Sequence, residues 1–178
     1  MSTVRIPLTR GFHAVVDADD FHLVEGYIWQ ASYRSGLIYA SRREGSQTIY
    51  MHRVILGITD ERLVDHADKN GLNNRRYNLR EATRPQNIAN SGPHKTNASG
   101  FKGVSFDKER RLWKAQINAK LIGRFASPEE AALAYDDRAF AAWGVFAYLN
   151  QDHCPNLCAK RMLDLGIEDL IAVESEVA

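Results

Sequence analysis

Pro93 apart, the ten residues from Ser91 to Gly100, SGPHKTNASG, include no apolar side chain larger than that of Ala98. Such a run cannot contribute to a hydrophobic core, and its Gly, Pro, Ser, Thr and Asn favour turns and linkers. The chain of 178 residues is thereby cut into two pieces, and each must assemble a core of its own. Domains shrink to about 50 residues, so both pieces are long enough. With 44% hydrophobic and 25% charged residues, the composition excludes collagenous and disordered classes. No apolar run approaches the roughly 18 residues of a membrane span, and MSTVRIPLTR lacks the apolar stretch of a secretory signal. The expectation is a cytoplasmic chain without membrane association. Cys154 and Cys158, the only two cysteines, are then reduced thiols; with His153 they lack a fourth ligand for Zn²⁺.

Net charge is +1, but it is unevenly spread. Arg62 to Arg124 carries 14 Lys/Arg and 5 Asp/Glu, a net of +9, and the remainder carries 9 and 17, a net of −8. A basic block between acidic flanks suits a polyanion, most commonly nucleic acid. Nothing in the composition suggests a small-molecule substrate.

Residues 1–60 predict an α+β scaffold. Aromatic and β-branched runs at His13 to Val16, Tyr27 to Tyr33, Leu37 to Arg42 and Thr48 to Tyr50 read as strands, with a turn at Arg34-Ser35-Gly36. A short helix is expected over Asp20 to Glu25 with Asp19 as its N-cap, and another from His52 to Leu56, closed by Gly57. Residues 61–90 are dense in Asn, Asp and Arg, and hold only Leu63-Val64 and Tyr77 to Leu79 as apolar pieces.

Asp65-His66 ends the first of those pieces, which places the pair at the end of a strand. Asn78 follows His66 by twelve residues, and Asn87 by nine more. Thr83 and Gln86 form a capping box that puts Asn87 in the first turn of a helix. The order strand, loop, strand, helix can bring Asp65 and Asn87 together as oxygen ligands of one hard cation, with His66 beside it as a base. An imidazole titrates near neutrality, so this arrangement suits hydrolysis of a phosphodiester. His52 is expected to pack or hydrogen-bond, and His13, His22 and His94 carry no assigned role.

Residues 101–150 predict a three-stranded meander, FKGVSF, LWKAQIN and KLIGRFA, followed by one helix. Ser127-Pro128-Glu129-Glu130 is its capping box and Gly144 its C-cap, with Leu133, Tyr135, Phe140 and Trp143 expected in the seam. Along LWKAQIN, Trp113, Ala115 and Ile117 alternate with Lys114, Gln116 and Asn118, so the first set packs and the second faces outward. MLDLGIEDLIAV, near the C-terminus, reads as one more helix.

Two resemblances follow. Asp65-His66, NGLNNRRYNLR at 70–80 and Asn87, preceded by YMHRVILG at 50–57, resemble the HNH homing endonucleases of phages and introns, with Asn in place of the last His. The resemblance implies a ββα-metal finger over 61–90 in which His66 is the general base, Asn78 holds the loop and so orients His66, and Asp65 and Asn87 bind one cation. One carboxylate and one amide favour Mg²⁺ or Mn²⁺. KGVSFDKERRLWKAQI, IGRF and SPEEAALAYDDRAFAAWGVFAYLN resemble the ethylene-response-factor (Apetala-two) DNA-binding domain over residues 100–150. That resemblance implies a sheet laid in the major groove, with Lys102, Ser105, Lys114, Gln116, Asn118 and Arg124 on the DNA side. Plant members carry more arginines on the first strand, where Ser105 and Asp107 stand here. The whole predicts an HNH nuclease domain at 1–90, a linker at 91–99, a DNA-binding domain at 100–150 and an extension at 151–178. A monomer that nicks double-stranded DNA is the implied activity; the alternative is a DNA-binding regulator whose finger is only structural.

Overall fold

The computed structural model describes residues 2–165. It divides into two compact units, Met1–Asn90 and Ser91–Ala178, at the point where the composition changes. The protein is α+β, and every paired strand in its small sheets is antiparallel.

In the first unit, β1 (Thr3–Pro7) pairs with β2 (His13–Asp17). A meander follows: β3 (Gln30–Arg34), β4 (Leu37–Glu44) and β5 (Gln47–Tyr50). Ser35 and Gly36 both take positive φ, 51° and 81°, which matches the turn to the twist of the strands it joins. Helix α1 (Met51–Leu56) runs directly on from β5 and closes at Gly57 in the left-handed region. Then come β6 (Leu63–His66), β7 (Leu79–Ala82) and α2 (Arg84–Asn90). Ile6, Leu8, Ala14, Val16, Trp29, Met51, Ile55 and Leu79 form one core, and the Trp29 ring N–H donates to the Val24 carbonyl at 2.9 Å. The core therefore reaches from the first strand to the edge of β6–β7.

Three local expectations change. The N-terminal strand β1 is an addition; its signal is the alternation of Val4 and Ile6 in only five residues. The segment 18–23 is a 3₁₀ turn, not a helix from 20 to 25, and Asp19 does not cap it. The nearby acids are committed elsewhere, Asp17 to Arg75 and Asp20 to Arg76. The strand expected from Tyr27 begins only at Gln30, leaving Tyr27 and Ile28 exposed.

In the second unit, β8 (Val104–Asp107), β9 (Leu112–Ile117) and β10 (Lys120–Phe125) lie in the order β10-β9-β8 beneath α3 (Pro128–Trp143). The Ser127–Glu130 capping box is formed in both directions, and Gly144 ends the helix at φ 52°. Val104, Ala115, Ala131, Ala132, Leu133, Tyr135, Ala139 and Leu157 make the core, with Trp113, Ile117 and Phe125 packed against it. Phe140 is exposed and does not fill the seam, which Leu133 and Tyr135 of the same helix do. Buried Asp136 accepts from the backbone and side chain of Asn150 and the backbone of Gln151, all within 2.9 Å, which ties the chain after α3 back onto that helix.

The end of the segment 91–99 is tied to the residues that follow it. Asn97 and Ser99 hydrogen-bond to the Phe101 carbonyl, and Ser99 also to that of Val104. Helix α4 (Pro155–Asp164) accounts for the start of MLDLGIEDLIAV, whose continuation past 165 lies outside the described residues. Cys154 and Cys158 are free thiols. Among the described residues no helix is long and apolar enough to cross a membrane.

Candidate functional site

Asp65 and His66 close β6, and both are buried, at 4% and 5% exposure. Antiparallel register sets Arg80 directly opposite Asp65, a cross-strand pair of opposite charges. The Arg80 guanidinium donates to the Oδ2 atom of Asp65 through Nε at 2.8 Å, and its Nη2 lies 2.7 Å from the same oxygen. On the other side the Asn90 amide donates to Oδ1 and to the His66 carbonyl, each at 2.9 Å. Asp65 thus carries one cation and one amide on its two oxygens, and the last turn of α2 is pinned to the end of β6.

The His66 imidazole lies 3.4 Å from Asn74 Oδ1 through Nε2. With that oxygen accepting, Nε2 carries the proton and Nδ1 is the basic nitrogen. Around the ring stand two further aromatics, Tyr39 with its centroid at 5.7 Å and His52 at 5.1 Å, the latter edge-on at 89°. His52 in turn stacks on Tyr50 at 5.3 Å. Burial drives the His66 pKa below its usual value, against the opposing pull of Asn74, Asp68 and Asp65. Burial also takes His52 down to about 3, helped by His66 and Arg53. Both rings are therefore uncharged at neutral pH. His52 is the residue that sequence reasoning undervalued: it packs, as expected, but against the candidate base. The signal was its place in YMHRVILG, which no local rule connects to Asp65-His66.

The loop between β6 and β7 is held from inside and outside. Buried Asn78 accepts from the Asp68 N–H at 2.9 Å through Oδ1, and its amide donates to Asp68 Oδ1 at 2.9 Å and the Asn73 carbonyl at 2.7 Å. From outside, Val15 exchanges backbone hydrogen bonds with Leu72 and Asn74, at 2.8 and 2.7 Å. Asp17 accepts from Arg75 Nε at 2.8 Å and from the Arg76 N–H at 2.9 Å. Burial alone would raise the Asp17 pKa, but these two donors bring it below the usual carboxylate value. Gly71 presses on β4 so closely that a Cβ would come 2.4 Å from the Ile38 carbonyl oxygen and 2.6 Å from the Tyr39 ring. Arg53 fixes the approach to β6 by donating to the carbonyls of Asp60 and Arg62.

The expected partnership of Asp65 with Asn87 is not the contact that forms. Thr83 and Gln86 make the anticipated capping box, and Asn87 sits in α2 as expected, but its side chain is exposed. Asn90, three residues on, is the buried amide that reaches Asp65. The spacing was legible; which of two asparagines one turn apart would turn inward was not. Among the described residues no three His, Cys, Asp or Glu side chains gather as a metal site, and one carboxylate with an amide falls below that number.

In the second unit, alternation along β9 holds for Trp113, Ala115 and Ile117, all on the core side. Ser105 and Lys114 face each other in register on the opposite side, with Arg124 paired to Lys114. Gln116 shares that side by the same alternation. Two expected members of this face are elsewhere. Asn118 lies beyond β9, in the hairpin turn, where it and Ala119 take φ of 49° and 62°. Lys102 precedes β8; its backbone N–H donates to Asn150 and its ammonium to the Ser91 carbonyl at 2.6 Å. Arg124 is on the face but donates to Asp107 at 3.1 Å, and this bond holds the Asp107 carboxyl below its usual pKa.

Comparison with known proteins adds one point of contact. Protein 3.8 of Escherichia phage T7 is 42% identical over 57 residues, which amounts to 32% of this chain and 47% of that protein. The chain thus spans about half the length of the curated relative it matches. No family model matches the chain, and no solved structure does.

Proposed function

We propose that the protein is an HNH-type DNA endonuclease that nicks one strand, with β6, β7 and α2 as its ββα-metal finger and the second unit as its DNA reader. The observation that carries this reading is His66: a buried, uncharged imidazole at a strand end, beside a carboxylate, its ring flanked by Asn74 and its loop knit by Asn78. A side chain so placed is poised to take a proton from water, since a base must be unprotonated at working pH. Asp65 and Asn87 are the residues that would hold Mg²⁺ or Mn²⁺ by their oxygen chemistry, but with both Asp65 oxygens engaged by Arg80 and Asn90 and with Asn87 exposed, a cation would have to displace Arg80 to bind there. When bound, such an ion stabilises charge developing on the phosphate and the leaving oxygen. The chain's own part is then divided. His66 Nδ1 accepts the proton of the attacking water, Asn74 fixes the tautomer, and Asn78 with the Asp17 clamp holds the loop that aims the ring. Ser105, Lys114, Gln116 and Arg124 are assigned to duplex contact, Lys114 and Arg124 to phosphates and Gln116 to a base edge.

A second reading has an observation in its favour. The two oxygens of Asp65 are engaged by Arg80 and Asn90, which suits a finger that is only structural in a DNA-binding regulator. Incubation of supercoiled plasmid with Mg²⁺, Mn²⁺ or EDTA, followed by mapping of the ends, separates the two. Metal-dependent relaxation to open circles supports the nuclease; binding without any cut supports the regulator.

A further inference from the structure

The sheet β3–β4–β5 turns one face to the core; its other face is covered at the centre, where Ser41 is buried and Tyr39 lies against Gly71, His52 and His66, and is exposed at its margins, at Gln30, Arg34, Leu37, Arg43 and Thr48. Ala31 and Ala40 are buried in the core. Register places Gln30, Ser32 and Arg34 of β3, Leu37, Tyr39, Ser41 and Arg43 of β4, and Thr48 and Tyr50 of β5 on the other side. This face is knit by its own polar groups: Ser32 to Ser41 at 2.5 Å, Arg34 to the Tyr50 hydroxyl at 3.2 Å, and Arg43 to Thr48 at 3.2 Å. No Asp or Glu belongs to it; Glu44, the only acidic residue of the three strands, pairs with Arg42 on the core side. Arg34 and Arg43, both exposed, stand at its two ends. Six residues of β4 separate those ends, about 20 Å at strand rise, or roughly six base steps of duplex.

The same face runs into the candidate active site. Tyr39 touches Tyr50 edge-on, with centroids 6.2 Å apart, and Tyr39 also touches His66 at 5.7 Å. A ligand held at the margins of this face would therefore lie one ring, that of Tyr39, from the buried His66.

We infer that the exposed margins of this face of β3–β4–β5 hold the phosphate backbone of duplex DNA next to the cleaved bond, through Arg34 and Arg43, on either side of the covered centre that touches His66. Two guanidiniums, hydroxyl and amide donors at Ser32, Thr48 and Gln30, and the lack of carboxylates complement a polyanion. The inference takes its ligand, duplex DNA, from the nuclease reading and adds a binding surface in the unit that carries His66.

The test measures binding of the full-length chain to a labelled duplex by fluorescence anisotropy, in EDTA, over a series of salt concentrations. Replacing both arginines, Arg34→Gln with Arg43→Gln, should lower the slope of log affinity against log salt by about two, one for each phosphate that is no longer neutralised. Thr48→Ala, which removes no charge, should leave the slope unchanged. An unaltered slope in the double variant overturns the inference, as does a wild-type chain with no affinity for duplex. Should the double variant lose its folded circular dichroism, Arg43→Gln alone must lower the slope by about one. Cleavage plays no part in this readout. A chain that binds with the expected slopes but never cuts refutes the nuclease and keeps the surface, whereas one that cuts with unaltered slopes does the reverse.

Discussion

The imidazole of His52 meets that of His66 edge-on, with centroids 5.1 Å apart and planes at 89°. Each ring is buried, so neither can take up a proton without charge appearing in a poorly solvated space beside the other. The two form an uncharged pair whose geometry is set by the stack of His52 on Tyr50.

Stability should fall with acid in the range this pair governs. The pKa of His52 is about 3 in the fold, against an ordinary value of 6.5, and that of His66 is also lowered. Below pH 6.5 the unfolded chain therefore binds protons that the folded chain refuses. His52 alone should cost about 2 kcal/mol by pH 5, with His66 adding in the same direction. Urea unfolding of wild type and His52→Gln at pH 7.5 and 5 measures this. The variant should lose less stability between the two pH values, and equal losses would remove His52 from the account.

Cleavage should require His66 while binding does not. His66→Ala is expected to reduce the nicking rate by about 10²- to 10⁴-fold, with the affinity for duplex nearly unchanged. Single-turnover nicking and anisotropy on the same preparation check the two halves. Because the pKa of His66 lies below its ordinary value, the rate should be level above pH 6.5 and decline only under it.

Arg80→Ala should destabilise the first unit by about 3 kcal/mol, because it leaves the buried Asp65 carboxylate with Asn90 but without a counter-charge. Arg80→Ala combined with Asp65→Asn should recover part of that loss, since the uncompensated charge is then gone. A double-mutant cycle by chemical denaturation gives the coupling directly.

The hairpin between β9 and β10 offers a change in the opposite direction. Ala119 sits at φ 62°, where a Cβ is strained, so Ala119→Gly should stabilise the second unit by about 1 kcal/mol. Trp113→Ala should cost about 3 kcal/mol by removing a ring packed against the core beneath α3. Thermal melts of the two variants should move in opposite directions.

What could be read from the chain alone follows the reach of each interaction. The capping boxes at Thr83 and Ser127 and the turn at Ser35-Gly36 depend on neighbours within four positions, and each formed as expected. The alternation that buries Trp113, Ala115 and Ile117 is equally local, but where the strand stops is not, so Asn118 reads as part of the sheet and belongs to the turn. Phe140 looks like a core residue by type but is exposed, while Tyr135 of the same helix is buried. Pairings that span many residues, such as Asp17 with Arg75 or His52 with His66, leave no trace in periodicity or spacing. The choice of Asn90 over Asn87 at Asp65 depends on how α2 is rotated, which packing sets.

The grip of Asp17 on Arg75 and Arg76, with the backbone exchange between Val15 and the loop that ends at Asn78, bears on how the molecule is made. Residues 61–90 carry Asp65 and His66 but lean on strands built from the first seventeen. Synthesis delivers those strands first, so the template is in place when the loop emerges. The same dependence limits transplantation: grafted without residues 1–60, the segment would lose the acid that anchors it and the β4 surface on which Gly71 rests. The smallest piece that could be moved to another protein with this loop still anchored is the whole span from 1 to 90.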